Sequence, residues 1–566
     1  MRLRTSFRLS LAALLIVGAA TVTAAPSGAD DDVALSDSAW AKQVCKQLPA
    51  DELQRTWDGL RMDRSGDIQF FARDPDFVGS GLPHVGPWDY VQAVPMFWYG
   101  PGYIKPGVVA KRQVTSADIA ATFAELTNFD WTAPDGKPMI EALEPEATRK
   151  VPPKMIITVI WDSAGTNVMD EWPNDWPYLD KLASQGSWFD NATLGLSPTS
   201  TAQGHATIGT GAMPRSHALV AHHFRIGQNM TTPWSQGSRL LTLPTFSDLY
   251  DRANGNEPKI AMIGSVPIHL GMMSHGTEWG GGDKDIAVLT NVNDASTLGA
   301  ESPTWGMPLK NKPFYYTPEW VDPDQDPATV DYRQTQYYNG VDAVDQMDGR
   351  KDGKWRDESI EDLKGGFETP ARIPWENSLV KDLIRKEGLG TDASTDMLFV
   401  NYKVIDFVGH VWSMNSEYMS DSLKFQDQAL EELVPYLDKE VGKGQYVLLV
   451  TADHGAMPDP KVTGAFVASP GRIGSAINNK FGEGTVMLTQ NSTAFLNVPQ
   501  LEANGDTVGD VARFVGTLTK GETYLEGYEP TGNEAKEKLF QSSFPSYLME
   551  QMPCIQTETD TAPPTS

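Results

Sequence analysis

The sequence predicts an α/β fold built on a mostly parallel sheet, and three observations predict it. Four short, nearly continuous apolar segments, Met155–Trp161, Lys259–Ile263, Met397–Tyr402 and Tyr446–Thr451, read as strands buried on both faces. Helical periodicity fills the intervals, as in 422–441, where Ala429, Leu430, Leu433, Val434 and Leu437 share one side. Most of the strands run out into polar or Gly-containing turns, and strand–helix alternation is the mark of a parallel sheet.

Composition supports one large folded enzyme-sized unit. The chain has 566 residues, 40% hydrophobic, with 16 Trp, 17 Tyr and 21 Phe, which is ample for a buried core and excludes a wholly disordered chain. Lys and Arg total 46 against 74 Asp and Glu, a formal charge of -28. So negative a surface repels a phosphate backbone, which argues against a nucleic-acid polymer as partner. Two cysteines exclude a disulfide-rich scaffold and any four-thiolate zinc module.

The elements follow in chain order. Residues 1–25 read as a signal peptide, with Arg2, Arg4 and Arg8 before the apolar stretch Leu9–Val22 and a small-residue site at Val22-Thr23-Ala24. A membrane anchor is the alternative, but the apolar run is short for a span. Export implies a secreted or periplasmic protein without stable membrane insertion after cleavage. In an oxidising compartment Cys45 and Cys554 would form one disulfide between the chain ends, two unrelated thiols being the alternative. Residues 26–40 read as a loose acidic segment and 41–143 as folded. There, Asp67–Ala72 and Val94–Tyr99 are strand candidates, and Thr115 or Ser116 would cap a helix carrying Ile119, Ala120, Phe123 and Leu126. Residues 144–154, charged and carrying Pro145, Pro152 and Pro153, read as a linker. Residues 155–554 read as the main α/β domain, expected to be the catalytic one on the strand-end residues described next, with an aperiodic insertion at about 276–365 expected to cap the site. Residues 555–566 read as a disordered polar tail.

Chemistry in an open α/β sheet gathers at the carboxyl ends of the strands. Met155–Trp161 runs into Asp162, Met397–Tyr402 leads to Asp406 and His410, and Tyr446–Thr451 runs into Asp453 and His454. A lone Asp after a strand is usually a cap or turn residue. Three such strand ends in one sheet offer a carboxylate and imidazole set suited to Zn²⁺. A fourth element, Pro198-Thr199-Ser200-Thr201-Ala202-Gln203-Gly204-His205, opens a helix with hydroxyls; alone it is a capped helix start, beside metals a nucleophile.

Together these pieces resemble the alkaline phosphatase superfamily, most closely its type I phosphodiesterase/nucleotide pyrophosphatase branch. The resemblance implies a three-layer α/β sandwich with a cap and two divalent metal ions, expected to be zinc. One ion would be held by Asp162, Thr201, Asp453 and His454, the other by Asp406, His410 and one more His. It selects Thr201 over Thr199 and Ser200 as nucleophile because Thr201 stands four before His205. The family's last His should follow the Asp-His-Gly turn, yet none of the nine His lies beyond His454. Arg64–Ile68, the loop Pro83-His84-Val85-Gly86-Pro87-Trp88, Val94–Gly102 and Asp135–Pro138 resemble the family's C-terminal segment in order, but stand ahead of the first Asp. This resembles a circular permutation, with His84 as the missing ligand and 144–154 as the fusion point. Where the branch places an Asn that contacts the phosphoryl group, this chain has His222, a hydrogen-bond donor or a bystander.

Other signals are bland. Asp322-x-Asp324-x-Asp326 is followed by Pro327 rather than the turn glycine of a calcium loop, and reads as a solvated acidic loop. There is no P-loop, no Gly-x-Ser-x-Gly and no His-Glu-x-x-His. The expected function is a secreted two-metal phosphodiesterase or nucleotide pyrophosphatase working through a phosphothreonine on a small phosphoester or nucleotide. A phosphomonoesterase of alkaline phosphatase type and a non-catalytic binding protein on the same fold are the alternatives.

Overall fold

Met155–Trp161, Asp396–Tyr402 and Tyr446–Thr451 are buried at every position, so both faces of the sheet they form are covered. In the computed structural model, which describes residues 35–79, 81–149, 151–234, 236–290, 311–321, 339–363 and 369–557, they lie at the middle of a nine-stranded sheet. Its order is Tyr315–Tyr316, Asp285–Leu289, Ile260–Gly264, Asp396–Tyr402, Met155–Trp161, Tyr446–Thr451, Met96–Tyr99, Ser187–Phe189, Val108–Ala110. Only Met96–Tyr99 breaks the parallel pattern, pairing antiparallel with both its neighbours. The sheet is mostly parallel, as the sequence predicts, and the fold is a mixed α/β one.

Alternating side chains show what covers each face. Phe399 and Trp98 meet Phe123 of the helix Asp118–Thr127, which also packs against Phe246 of the helix Phe246–Ala253. On the opposite face the Tyr402 hydroxyl donates to Asn377 of the helix Arg372–Lys386, and Tyr446 reaches Val434 of the helix Glu417–Leu437. Helices thus lie on both faces, giving three layers.

A second, antiparallel sheet places Ile68–Ala72 between Thr493–Leu496 and Phe540–Pro545. Its core holds Trp40, Trp57, Phe70, Phe544 and Leu548, drawn from both ends of the chain. Cys45 and Cys554 are joined by a disulfide beside that core.

Several expectations need correction. Residues 37–40, expected in the loose stretch, begin the helix Asp37–Gln47, because Trp40, Ala41 and Val44 are buried against the second core. The helix after 116 starts at Asp118 with Ala117 as its cap residue, and neither Thr115 nor Ser116 caps it through its side chain. Within the insertion expected at 276–365, Asp285–Leu289 and Tyr315–Tyr316 belong to the main sheet, while 291–310, 322–338 and 364–365 lie outside the described residues. The segment 144–154 has no helix or strand among its described residues, yet it is docked. Arg149 donates to Glu144 O and Glu125 O, and Lys154 N–H to Gln445 O. Residues 1–25, expected to be a signal peptide, the segment around Asp322, Asp324 and Asp326, and the end of the expected tail lie outside the described residues. Among the described residues no helix is long and apolar enough to cross a membrane.

Candidate metal centre and nucleophile

Three of the five donor segments stand just past a strand end. Asp162 follows Met155–Trp161, and Asp453 and His454 follow Tyr446–Thr451. Asp406 and His410 follow Asp396–Tyr402 on the helix Val404–Trp412, where a spacing of four puts them on one face. His84 reaches the same sheet edge because of strand direction. Met96 pairs with Thr451 in an antiparallel ladder, so the chain that precedes Met96 lies where the chain after Thr451 emerges. Thr201 opens the helix Thr201–Thr210, buried throughout. A Cβ at Gly204 would stand 2.7 Å from Asp453 O, so glycine is what lets this helix approach the Asp453 turn.

The side chains converge. Asp406 Oδ1 lies 3.6 Å from His84 Nε2, 3.5 Å from His410 Nε2 and 4.0 Å from His454 Nε2. His454 Nε2 is also 3.7 Å from Asp162 Oδ1, 3.5 Å from Asp453 Oδ2 and 3.3 Å from Thr201 Oγ1. The three imidazoles are oriented alike: Nδ1 of His84, His410 and His454 faces the carbonyl of Thr199, Leu82 and Gly455 respectively. An Nδ1–H donated to a carbonyl leaves Nε2 as a lone pair, the form that binds metal. Asp406 Oδ1 and Asp453 Oδ2 are buried without a hydrogen-bond partner among the described residues. Metal–ligand bonds of about 2.0–2.2 Å put neighbouring ligands roughly 3.3–3.6 Å apart in a tetrahedron. The donor sets His84–Asp406–His410 and Asp162–Asp453–His454 with Thr201 therefore suit two divalent cations in atom type, spacing and unsatisfied oxygens.

Lys403 is the functional candidate that sequence reasoning missed. Its ammonium donates to Asp162 Oδ1 and Thr201 Oγ1 at 2.8 and 2.9 Å and pairs with Asp406 Oδ2 at 2.8 Å. Its signal was a lysine at a strand's end three residues before Asp406, where a helix places it beside that carboxylate. Burial alone would lower the Lys403 pKa, but Asp162, Asp406 and Asp453 outweigh burial and hold it above the usual value. Burial would raise Asp406, and the Lys403 ammonium reverses that to well below the carboxylate range. Burial and Asp453 push Asp162 up to about 6. Burial also holds the His84 imidazole well below its usual value, which keeps it neutral.

His205 and His269 were left unassigned by the sequence reading, and both stand against these carboxylates. His205 Nδ1 lies 2.8 Å from Thr201 O and 3.4 Å from Asp453 Oδ2; His269 Nε2 lies 3.7 Å from Asp162 Oδ2. Asn401 Nδ2 donates to Asp162 Oδ2 at 2.8 Å and lies 3.0 Å from His205 Nε2. His222 lines a cleft with Val85, Pro198, Ser200 and Gln490–Thr493, beside the neighbours of His84 and Thr201. Its buried Nε2 has no hydrogen-bond partner among the described residues, and the centroid of the Trp234 ring lies 5.2 Å from that of His222.

Residues 156–511 match the sequence model of the family described as type I phosphodiesterase / nucleotide pyrophosphatase. The chain belongs to that family, within the alkaline phosphatase superfamily. It is a phosphoric ester hydrolase, of a class that depends on metal ions.

Three relatives mark its neighbourhood. The alkaline phosphatase PafA of Elizabethkingia meningoseptica is 24% identical over 72% of this chain and 80% of that one. A protein named calcium-transporting ATPase from Myroides odoratus is 24% identical over 62% of this chain and 70% of its own. The alkaline phosphatase PhoV of Synechococcus elongatus is 26% identical over 50% of this chain, which spans about half of PhoV, 54%. The crystal structure of wild-type PafA superposes with a TM-score of 0.49 at 18% identity, covering 64% of this chain and 76% of that one.

Proposed function

We propose that this protein is an extracytoplasmic two-metal phosphodiesterase or nucleotide pyrophosphatase that works through a covalent phosphothreonine at Thr201. The observation that carries the reading is the shared orientation of His84, His410 and His454. Each has Nδ1 on a backbone carbonyl and Nε2 turned toward carboxylates beside the Thr201 hydroxyl. In the proposal Asp162, Thr201, Asp453 and His454 hold one divalent cation, zinc being the expected ion, and Asp406, His410 and His84 the other. Bound cations would supply Lewis acidity, lowering the pKa of the Thr201 hydroxyl and neutralising phosphoryl oxygens.

The residues do the rest by position. Thr201 Oγ1 attacks phosphorus in line; the Oγ1–P bond forms, the P–O bond to the leaving group breaks, and the hydroxyl proton is released. Water then cleaves the phosphothreonine, returning the hydroxyl and freeing the phosphoryl product. Ser200, the residue at the helix cap, and Gly204 fix the entry of the Thr201 helix, so the attacking oxygen needs little reorganisation. His222, in the adjoining cleft, would donate from Nε2 to a phosphoryl oxygen.

A phosphomonoesterase is the second reading, and Lys403 favours it. A buried ammonium 2.9 Å from Thr201 Oγ1 adds positive charge where a dianionic monoester would bring the most negative charge. Chromogenic mono- and diesters assayed side by side decide between the two. A higher kcat/KM on the diester supports the first reading, and a higher value on the monoester replaces it.

The same proposal takes residues 64–143 as the family's C-terminal segment moved ahead of its first Asp. The antiparallel strand Met96–Tyr99, the approach of His84 to Asp406 and the disulfide between Cys45 and Cys554 support that reading. The disulfide also supports an oxidising, extracytoplasmic home.

A further inference from the structure

Lys403 changes what a cation would meet in this site. Its side chain is 4% exposed, and its ammonium bridges Asp162 Oδ1 and Asp406 Oδ2, each at 2.8 Å. A third contact, 2.9 Å long, goes to Thr201 Oγ1. The residue follows the last position of the strand Asp396–Tyr402 and stands at the N-cap of the helix Val404–Trp412. Its backbone is therefore held by the sheet and the helix together, and its three contacts hold the ammonium beside the nucleophile.

The two donor sets are engaged unequally. On the Thr201 side, Asp162 Oδ1 and Thr201 Oγ1 already accept from the ammonium. On the His84 side the ammonium takes only Asp406 Oδ2; Asp406 Oδ1, like Asp453 Oδ2 of the other set, has no hydrogen-bond partner among the described residues, and lies 3.6 and 3.5 Å from His84 Nε2 and His410 Nε2. The charges follow the same division. The carboxylates of Asp162, Asp406 and Asp453 set against one ammonium leave the negative charge that one divalent cation neutralises. A second divalent cation would have to enter beside a fixed positive charge.

We propose that Lys403 is a built-in competitor for metal that makes the two cation sites unequal. This rests on the two-metal reading above and deepens it. The set His84, Asp406 and His410 fills first and tightly. The set Asp162, Thr201, Asp453 and His454 fills second and weakly, because a cation there must take Asp162 Oδ1 and Thr201 Oγ1 from the ammonium. When cations are scarce, Lys403 keeps the three carboxylates together, so the metal-free protein stays folded with its nucleophile in place. Metal supply would then set the active fraction of the enzyme without unfolding the rest.

The test is a calorimetric titration of the chelator-treated protein with Zn²⁺. Two binding events are expected, at least about tenfold apart in affinity, since a unit charge a few ångströms from a dication costs more than that factor. Lys403→Met removes the charge and keeps the length of the side chain. It should tighten the weaker event by about tenfold or more and lower the melting temperature of the metal-free protein. Lys403→Gln, which keeps a polar end, should tighten the weaker event too. If a variant does not survive chelation, the holoenzyme is compared instead. The more weakly held zinc should then need roughly tenfold more chelator for removal from the variant than from the wild type. Equal affinities in the wild type, or a gap unchanged in both variants, overturn the competitor role. A protein that binds no Zn²⁺ at all, and hydrolyses phosphoesters without it, overturns the two-metal reading instead.

Discussion

His84 Nε2 lies 3.6 Å from Asp406 Oδ1, and the His84 ring stacks on that of His454 with centroids 3.7 Å apart. One residue precedes the first strand of the main sheet in the chain and the other follows its second central strand. Their meeting depends on the reversed direction of Met96–Tyr99. If His84 is a ligand, His84→Ala should lower kcat/KM on a chromogenic diester by about 100-fold or more, with partial recovery at raised zinc concentration. Activity within about twofold of wild type would remove His84 from the site.

Thr201→Ala should abolish turnover, with a loss of about 10³-fold or more, because a nucleophile acts as a unit with the groups around it. Far-UV circular dichroism and the zinc held by His84, Asp406 and His410 should stay near wild type. Thr201→Ser should keep measurable activity. A Thr201→Ala protein that turns over normally would show the nucleophile to be another hydroxyl, and Thr199 and Ser200 would be next to test.

The fold was legible where the local signal was continuous. Met155–Trp161 and Tyr446–Thr451 have the bounds predicted, since an uninterrupted apolar run closed by a polar turn allows little else. Asp285–Leu289 was missed because five buried residues sit in a stretch rich in Gly, Asp and Trp, where the window average hides a short strand. Asp162, Asp406, His410, Asp453 and His454 were visible as strand-end residues. Lys403 was passed over because a search for carboxylates and imidazoles discounts a cation, although only burial between Asp162 and Asp406 gives it meaning. No local pattern marks His269, which reaches Asp162 from a separate segment.

The Cys45–Cys554 disulfide closes almost the whole chain and lies beside the core of Trp40, Phe544 and Leu548. Replacing both cysteines by serine should cost about 2–4 kcal/mol, seen as a lower denaturation midpoint, with kcat little changed because the pair packs on the second core, which holds none of the donors. An unchanged midpoint would mean that packing alone holds the two ends.

Acid should weaken the fold through His217. Burial pushes its pKa down to about 3, against an ordinary value of 6.5, and it accepts the Leu219 N–H at Nδ1. A depressed histidine pKa favours the neutral folded form. Its contribution is complete above the unfolded pKa and is lost as pH falls from about 6.5 toward 3. Between pH 7 and pH 5 this one group should cost about 2 kcal/mol, read by urea denaturation at the two values. His217→Gln should flatten that pH dependence while lowering stability at pH 7. An equally steep dependence in the variant would place the acid sensitivity elsewhere.

Anomalous diffraction at the zinc edge from crystals grown with zinc tests the central claim most directly. Two peaks per chain are predicted, one within bonding distance of His84, Asp406 and His410 and the other of Asp162, Asp453, His454 and Thr201. Zinc absent from both clusters, or bound only at other residues, would contradict it.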